Sequence, residues 1–426
     1  MQNPSPADSS HLNLPNLDDL AREAGFVTRQ SSRLTPSTFL QTLSSAVVTG
    51  LASLNQIAIG LSRRAERTIT SQAVHQRFGV ESTAFLTRVL HQLFAERFRE
   101  PATAGDFGPV RRILVEDSSV QAMPKANAAA FPAHGNRHGS TAGVKIDFAY
   151  DLLEGESVSH TLHAATEQDK TIGKELVSQV REGDLVLRDM GYFSVPEFVD
   201  IECLGAFWLT RVPLNLGVVV VELGAGLESV LRRHKGQSID LEVKAGAEGK
   251  PCRLVALRAT GRVARQRRKQ RREEAAGKGV APDRDGLIRD GWHLMLTNLG
   301  MADFPPKRLR AIYAARWGVE IQFRAWKQSQ NLDKALKRKS GEHHLMAIVL
   351  AAMINHLIGM RMARWLRRKN GALDLSYEKL YDALAIHSHT AGYWEDILGF
   401  APCPKHIQRD KRKRQSPLHI SALGLT

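Results

Sequence analysis

The chain is 426 residues long, enough for two to four domains and a substantial core. Hydrophobic residues make up 43% of it, which excludes an intrinsically disordered chain. The formal net charge of +15 and the pI of about 9.9 point to a polyanionic partner, usually nucleic acid, although a merely soluble basic protein has the same balance.

Three cysteines, Cys203, Cys252 and Cys403, lie far apart in no metal-binding spacing, so neither a disulfide framework nor a zinc site is expected. The first residues lack a basic region followed by an apolar run. No signal peptide is expected, and the cytoplasm, with association to the nucleoid, is the expected location. The most apolar stretch, LMAIVLAAMINHLIGM, is short and carries Asn355 and His356, and reads as a buried helix rather than a membrane span.

In chain order, residues 1–33 are polar apart from an amphipathic LDDLAREAGF, and residues 37–98 read as helices. Within them SLNQIAIGLSRRAERTITSQAVHQRF suggests helix, turn, helix. Ser53 is placed to cap the first helix, and Thr70 or Ser71 the second. Ala58, Leu61, Val74 and Phe78 would pack inward, leaving Gln72, His75, Gln76 and Arg77 outside. That is the size and polarity of a unit that reads the major groove, and equally of a plain helical hairpin. Near residue 110 the period changes. RRILVEDSSV, TAGVKIDFAYDLLEG and ESVSHTLHAAT read as three strands, the last two separated by a Glu154-Gly155 turn. A helix (DKTIGKELVSQVREG), a strand (DLVLRDMGYF), a helix (SVPEFVDIECLG) and a strand (AFWLTRV) follow, implying a mixed sheet with packed helices. Residues 213 to about 300 break the rhythm with strand-like pieces (GVVVVEL, QSIDLEV, CRLVALRA) and a basic run, Arg262 to Arg272. That run is predicted helical, as a phosphate-contacting arm or a solvated face. From 340 the pattern is helical again, ending in a basic tail, RDKRKRQSPLH.

Three acids stand out. Asp117 ends the apolar run Ile113–Val115, Asp189 ends DLVLRD, and Glu320 lies in a segment from Tyr313 to Lys327. Wound at roughly 100° per residue, that segment puts Tyr313, Arg316, Glu320 and Lys327 on one stripe. Ile312, Ala315, Val319, Phe323 and Trp326 form an apolar face beside it. The i, i+4, i+8 spacing of Arg316, Glu320 and Arg324 also fits a surface ion-pair ladder. Two acids ending neighbouring core strands, with a third on a helix packed against the sheet, are able to converge on one point. Hard divalent cations take such carboxylate oxygens, and two of them close together activate a water or a 3′-hydroxyl for phosphodiester attack.

The order Asp117, Asp189, Glu320, with Tyr-x2-Arg-x3-Glu-x6-Lys around the last acid, resembles the insertion-sequence-four family of DDE transposases. The 131 residues from Asp189 to Glu320 match that family's β-rich insertion in a ribonuclease-H-like core, and EDSSV, AGVKIDFAYD, LVLRDMGYF, FWLTRV and WHLMLTNL are similar too. The resemblance implies an α/β, ribonuclease-H-like catalytic core (mixed sheet with flanking helices) carrying a β-rich insertion, between helical N- and C-terminal regions. It implies a DNA-binding N-terminal region (1–105), core (106–212), insertion (213–300), a Glu-bearing helix (301–340) and a C-terminal region (341–426) suited to dimerisation. It implies metal-dependent cleavage at insertion-sequence ends and strand transfer into target DNA, with two Mg²⁺ ions (Mn²⁺ substituting) held by Asp117, Asp189 and Glu320. Tyr313, Arg316 and Lys327 match phosphate-gripping positions. Trp292 matches an insertion-domain tryptophan that stacks a flipped base, though a core role at the start of a strand fits it as well. The partners implied are transposon-end and target DNA and a second copy of the chain in the synaptic complex, with no membrane. Two other readings stay open on the residues alone: a DNA-binding protein without catalysis, and a nuclease of similar fold that cuts without joining.

Overall fold

A computed structural model describes residues 16–28, 34–95, 107–136, 139–153, 156–316, 320, 323–337, 340–370 and 375–387. The expected Glu154-Gly155 turn and the basic C-terminal tail lie outside these residues.

Among the described residues, eleven strands form one sheet. They are β1 (Arg112–Met123), β2 (Pro132–Asn136), β3 (Gly139–Asp151), β4 (Glu156–Ala164), β5 (Asp184–Arg188), β6 (Phe207–Arg211), β7 (Val218–Val220), β8 (Ala225–Gly226), β9 (Ser238–Ala245), β10 (Lys250–Arg258) and β11 (Trp292–Thr297). β1, β3 and β4 pair antiparallel, and β2 shares the outer edge of β3 with β4. On the other side of β1, β5 and then β6 run parallel to it. The segment between β6 and the Tyr313 helix is continuous with that sheet: β11 pairs β6, and β10, β9, β7 and β8 follow outward.

Side-chain alternation at period two gives each strand two faces. Ile113, Val115, Leu185 and Leu187 enter one apolar cluster, and Leu114, Val186, Trp208 and Leu254 enter another on the opposite face. The helices Leu17–Glu23, Pro36–Thr49, Leu54–Arg64, Ser71–His75 and Val80–Ala95 belong to the first cluster. So does the long Glu342–Asn370 helix, which packs on Pro36–Thr49 and Val80–Ala95. N- and C-terminal helices thus share one core. The Glu342–Leu366 portion is long and apolar enough to cross a membrane, but 89% of its apolar window is buried inside the chain. Asn355 donates to the Ser44 carbonyl at 3.1 Å, and His356 bonds the Tyr381 hydroxyl at 2.6 Å.

The helix pair in the N-terminal region starts where the capping residues place it. The Ser53 hydroxyl accepts from the Gln56 backbone amide, the Gln56 side chain accepts from the Ser53 amide, and Thr70 caps the second helix. Ala58, Leu61 and Val74 are buried, Phe78 is half-buried, and Gln72, His75, Gln76 and Arg77 are exposed. The second helix, Ser71–His75, stops short of Phe78.

Two other elements depart from expectation. DKTIGKELVSQVREG divides at Gly173 into Asp169–Ile172 and Lys174–Val177, and the Gly173 carbonyl accepts from the Arg188 guanidinium. DLVLRDMGYF is strand only to Arg188, and Met190–Tyr192 forms a 3-10 turn.

Candidate active site

The parallel pairing of β1 with β5 sets the geometry. Arg112 lies opposite Asp184 and Val115 opposite Leu187, so the same register carried two residues on brings Asp117 beside Asp189. Both acids share the face of Ile113, Val115, Leu185 and Leu187, the face on which the Pro306–Ala315 helix packs through Leu309, Ile312, Tyr313 and Ala315. The Tyr313 hydroxyl donates to Asp189 at 3.3 Å. Arg316, capping that helix, donates to Asp117 at 2.9 Å and to Glu320 at 3.2 Å. The structure therefore brings together Asp117, Asp189, Tyr313, Arg316 and Glu320, with a guanidinium between two of the carboxylates. The ladder of Arg316 and Glu320 does form, but it is anchored to a core strand rather than lying free on the surface.

Electrostatics follow from burial. Desolvation pushes the Asp117 carboxyl up from 3.8 to about 6; Arg316 opposes that rise, and the neighbouring Asp189 adds to it. Burial likewise pushes the Tyr313 hydroxyl up, with the Asp189 charge adding to the rise, so it stays a hydrogen-bond donor. The carboxylate oxygens of Asp117, Asp189 and Glu320 are the ligand type a hard divalent cation prefers. Among the described residues, no three carboxylate, histidine or cysteine side chains are already drawn to metal-holding distance. Arg316 places positive charge between Asp117 and Glu320.

Lys327 is not part of the cluster. The single 3.6-residue helix expected from Tyr313 to Lys327 gives way to a π-helical turn at Ala325–Ser329, whose wider turn breaks the stripe. Trp326 is set in an aromatic cage, with ring centroids 4.4 Å from His356, 4.7 Å from His160 and 5.3 Å from Phe148. Lys327 then reaches back to donate to the Val120 carbonyl at 2.9 Å. Ile312, Ala315, Phe323 and Trp326 are buried as the apolar face requires, and Val319 lies outside the described residues.

Trp292 begins β11 and is 3% exposed, with the Arg258 guanidinium over its ring at 4.3 Å from the centroid. It is a core side chain that also forms part of a cavity wall. The basic run forms the helix Gly261–Gly277 and divides by face. Arg267 donates to the Trp292 carbonyl, Arg268 to the Leu287 carbonyl, and Arg271 makes two bonds of 2.8 Å to Asp290. Arg262, Arg265, Lys269 and Arg272 are exposed.

Sequence reasoning missed the layer beneath the acids. Glu116 and Arg188 each immediately precede a site aspartate, so alternation sends both to the opposite face. There Arg188, 1% exposed, pairs with Glu116 and with Glu197 and donates to the Gly173 carbonyl. Burial, the largest cause, holds the Glu116 carboxyl well above its usual range. The signal was available: an acid before Asp117 and a base before Asp189, on strands that pair. Lys145 on β3 binds Asp169 at 2.8 Å, and Asp169 accepts from the Ser118 hydroxyl at 2.7 Å. That chain fixes the backbone just after Asp117.

Residues 108–355 match the transposase DDE domain family. The transposase for insertion sequence element IS231B of Bacillus thuringiensis subsp. berliner is 25% identical, over 84% of this chain and 80% of its own length. That for IS231D of Bacillus thuringiensis subsp. finitimus is 26% identical with the same coverage, and that for IS1151 of Clostridium perfringens is 20% identical over 77% and 74%. A cryo-EM structure of the piggyBac transposase synaptic complex with hairpin DNA aligns over 92% of this chain and 80% of that one, at 12% identity and a TM-score of 0.47.

Proposed function

The chain belongs to the transposase DDE domain family and is a DNA transposase of the insertion-sequence-four type, and from that premise we propose that Asp117, Asp189 and Glu320 are its catalytic, metal-binding carboxylates. One observation carries the assignment: Asp117 on β1 and Asp189 just past the parallel β5 share one face, where Arg316 bonds both Asp117 and Glu320, and Tyr313 of the same helix bonds Asp189. The strand order β4-β3-β1-β5-β6, antiparallel and then parallel about β1, supports a ribonuclease-H-like core, extended at its β6 edge by a β-rich insertion.

The three carboxylates would hold two Mg²⁺ or Mn²⁺ ions, which when bound supply charge neutralisation and an activated water or 3′-hydroxyl for phosphodiester attack. The remaining roles fall to the chain itself. Arg316 offsets the repulsion between partly buried carboxylates. Of its five N–H donors, two are engaged with Asp117 and Glu320, leaving others to grip a phosphate oxygen. Tyr313 orients Asp189 through its hydroxyl and remains protonated. The substrate is DNA: the element's ends and the target. Lys327 would contact DNA only after leaving the Val120 carbonyl, and Trp292 would stack a base only with Arg258 displaced. Gln72, His75, Gln76 and Arg77 form the polar outer face of the N-terminal helix pair, suited to a groove. Synapsis of two ends calls for a homodimer.

The test is cleavage and joining of DNA carrying the gene's own flanking ends, with Mg²⁺ against EDTA. Asp117→Ala, Asp189→Ala and Glu320→Ala are expected to abolish both reactions while keeping end binding. Cleavage surviving any of the three removes that residue from the site. Binding without cutting in wild type, on authentic ends, would instead favour a regulatory DNA-binding protein.

A further inference from the structure

Between the insertion and the core lies a cavity of about 340 Å³, walled by Met190 (the residue after Asp189), by Arg211 at the end of β6, by Arg267 and by Trp292. Arg267 is half-buried. One guanidinium nitrogen donates to the Trp292 carbonyl at 3.0 Å, and another lies 3.3 Å from Nδ1 of His293. Arg310, one helical turn before Tyr313, is also half-buried, and its charge and those of Arg211 and Arg267 all act on His293.

Arg211 is exposed at the strand end, whereas the neighbouring arginines that reach into the fold have carboxylate partners. Arg271 holds Asp290, Arg289 holds Glu228, and Arg253 holds Asp240. Among the described residues no carboxylate pairs with Arg211, Arg267 or Arg310, and Asp290, the acid that acts on Arg267, is already held by Arg271. Burial first, then mutual repulsion, lowers the proton affinity of Arg267 and Arg310 and pushes His293 down to about 4. Asp290 and Glu274 also line the cavity, but neither is paired with Arg267 or Arg310; partly desolvated like charges without a paired carboxylate cost free energy, and an anion would relieve that cost.

We infer that Arg211, Arg267 and Arg310 form a phosphodiester site in which the insertion helix and the Tyr313 helix close on one DNA backbone phosphate beside the acid cluster. Guanidinium groups suit the ligand because their planar donors bind phosphate oxygens in pairs. The site joins two parts of the chain, so its occupancy would also fix the insertion against the core. The inference rests on the transposase reading only for the source of the phosphodiester, DNA.

The test measures binding of a pre-cleaved flanking-end duplex to the full chain in EDTA, across a salt series, so that no catalytic step enters. Arg267→Gln with Arg310→Gln is expected to flatten the dependence of log affinity on log salt by about 0.9. Between 50 and 200 mM salt the double variant would then lose about 3.5-fold less affinity than wild type, as that slope implies. A second measurement needs no core substitution: ¹⁵N-histidine NMR of the wild type, with His293→Gln used only to assign the signal. The His293 pKa is expected to rise on saturation with the duplex. An unchanged salt slope in folded variants, or a His293 pKa unmoved by saturating duplex, overturns the site. Neither result bears on the acids, because metal-dependent cleavage by wild type is scored separately.

Discussion

Replacing Asp117 by Asn removes a charge that the fold holds at a cost. The carboxyl rises from 3.8 to about 6, burial being the largest cause. At about 1.36 kcal/mol per pKa unit, the charged form is disfavoured in the folded state by up to about 3 kcal/mol. The side chain is 22% exposed, so solvent screening brings the expected effect to about 1–2 kcal/mol. A carboxyl with a raised folded pKa contributes most to stability below its unfolded value of 3.8, and that contribution is lost as pH rises through about 6. In EDTA, Asp117→Asn is therefore expected to be more stable than wild type at pH 8, and level with it near pH 4. Urea midpoints at the two pH values, with unchanged m, measure this. The same variant is expected to be inactive, a direct exchange of stability for function. A variant less stable than wild type at pH 8 would refute the reasoning, because the Asp117–Arg316 pair would then outweigh desolvation.

Arg188→Met is expected to destabilise by about 3–5 kcal/mol, since it strands the buried Glu197 and Glu116. Glu116→Gln keeps a neutral group of the same shape and should cost far less; equal costs in chemical denaturation would show that the ion pair is not the source. On the N-terminal surface, Gln72→Ala, Gln76→Ala and Arg77→Ala together are expected to weaken binding to the authentic ends more than to scrambled duplex, with an unchanged unfolding midpoint. Equal loss on both duplexes, by fluorescence anisotropy, would show only phosphate contact.

Local chemistry explains what was legible in the chain. Ser53 with Gln56, and Thr70, announce helix starts because caps are satisfied within a few residues. Strands β1, β3, β5 and β6 announce themselves by apolar runs, and β9 and β10 by branched residues, since both follow from a neighbouring face. The basic run is helical as its composition suggests, yet half of its arginines face inward, because Arg267, Arg268 and Arg271 find partners far away in sequence. The uniform helix through Lys327 failed for the same reason: Trp326 is seated by Phe148, His160 and His356, and the backbone adopts a π turn there.

The sequence by itself determined most of the local elements, the family, and the set of acids and cations from which a site can be built, because residue type and short-range period carry that information. Only the tertiary structure decided which of them meet. The parallel register of β1 and β5 sets Asp117 beside Asp189 and Glu116 against Arg188 on opposite faces of the sheet. Packing of the Pro306–Ala315 helix then delivers Tyr313 and Arg316 to the acids, while the π turn takes Lys327 away. Contacts between residues a hundred positions apart depend on register and on the filling of a shared core, which no local pattern encodes.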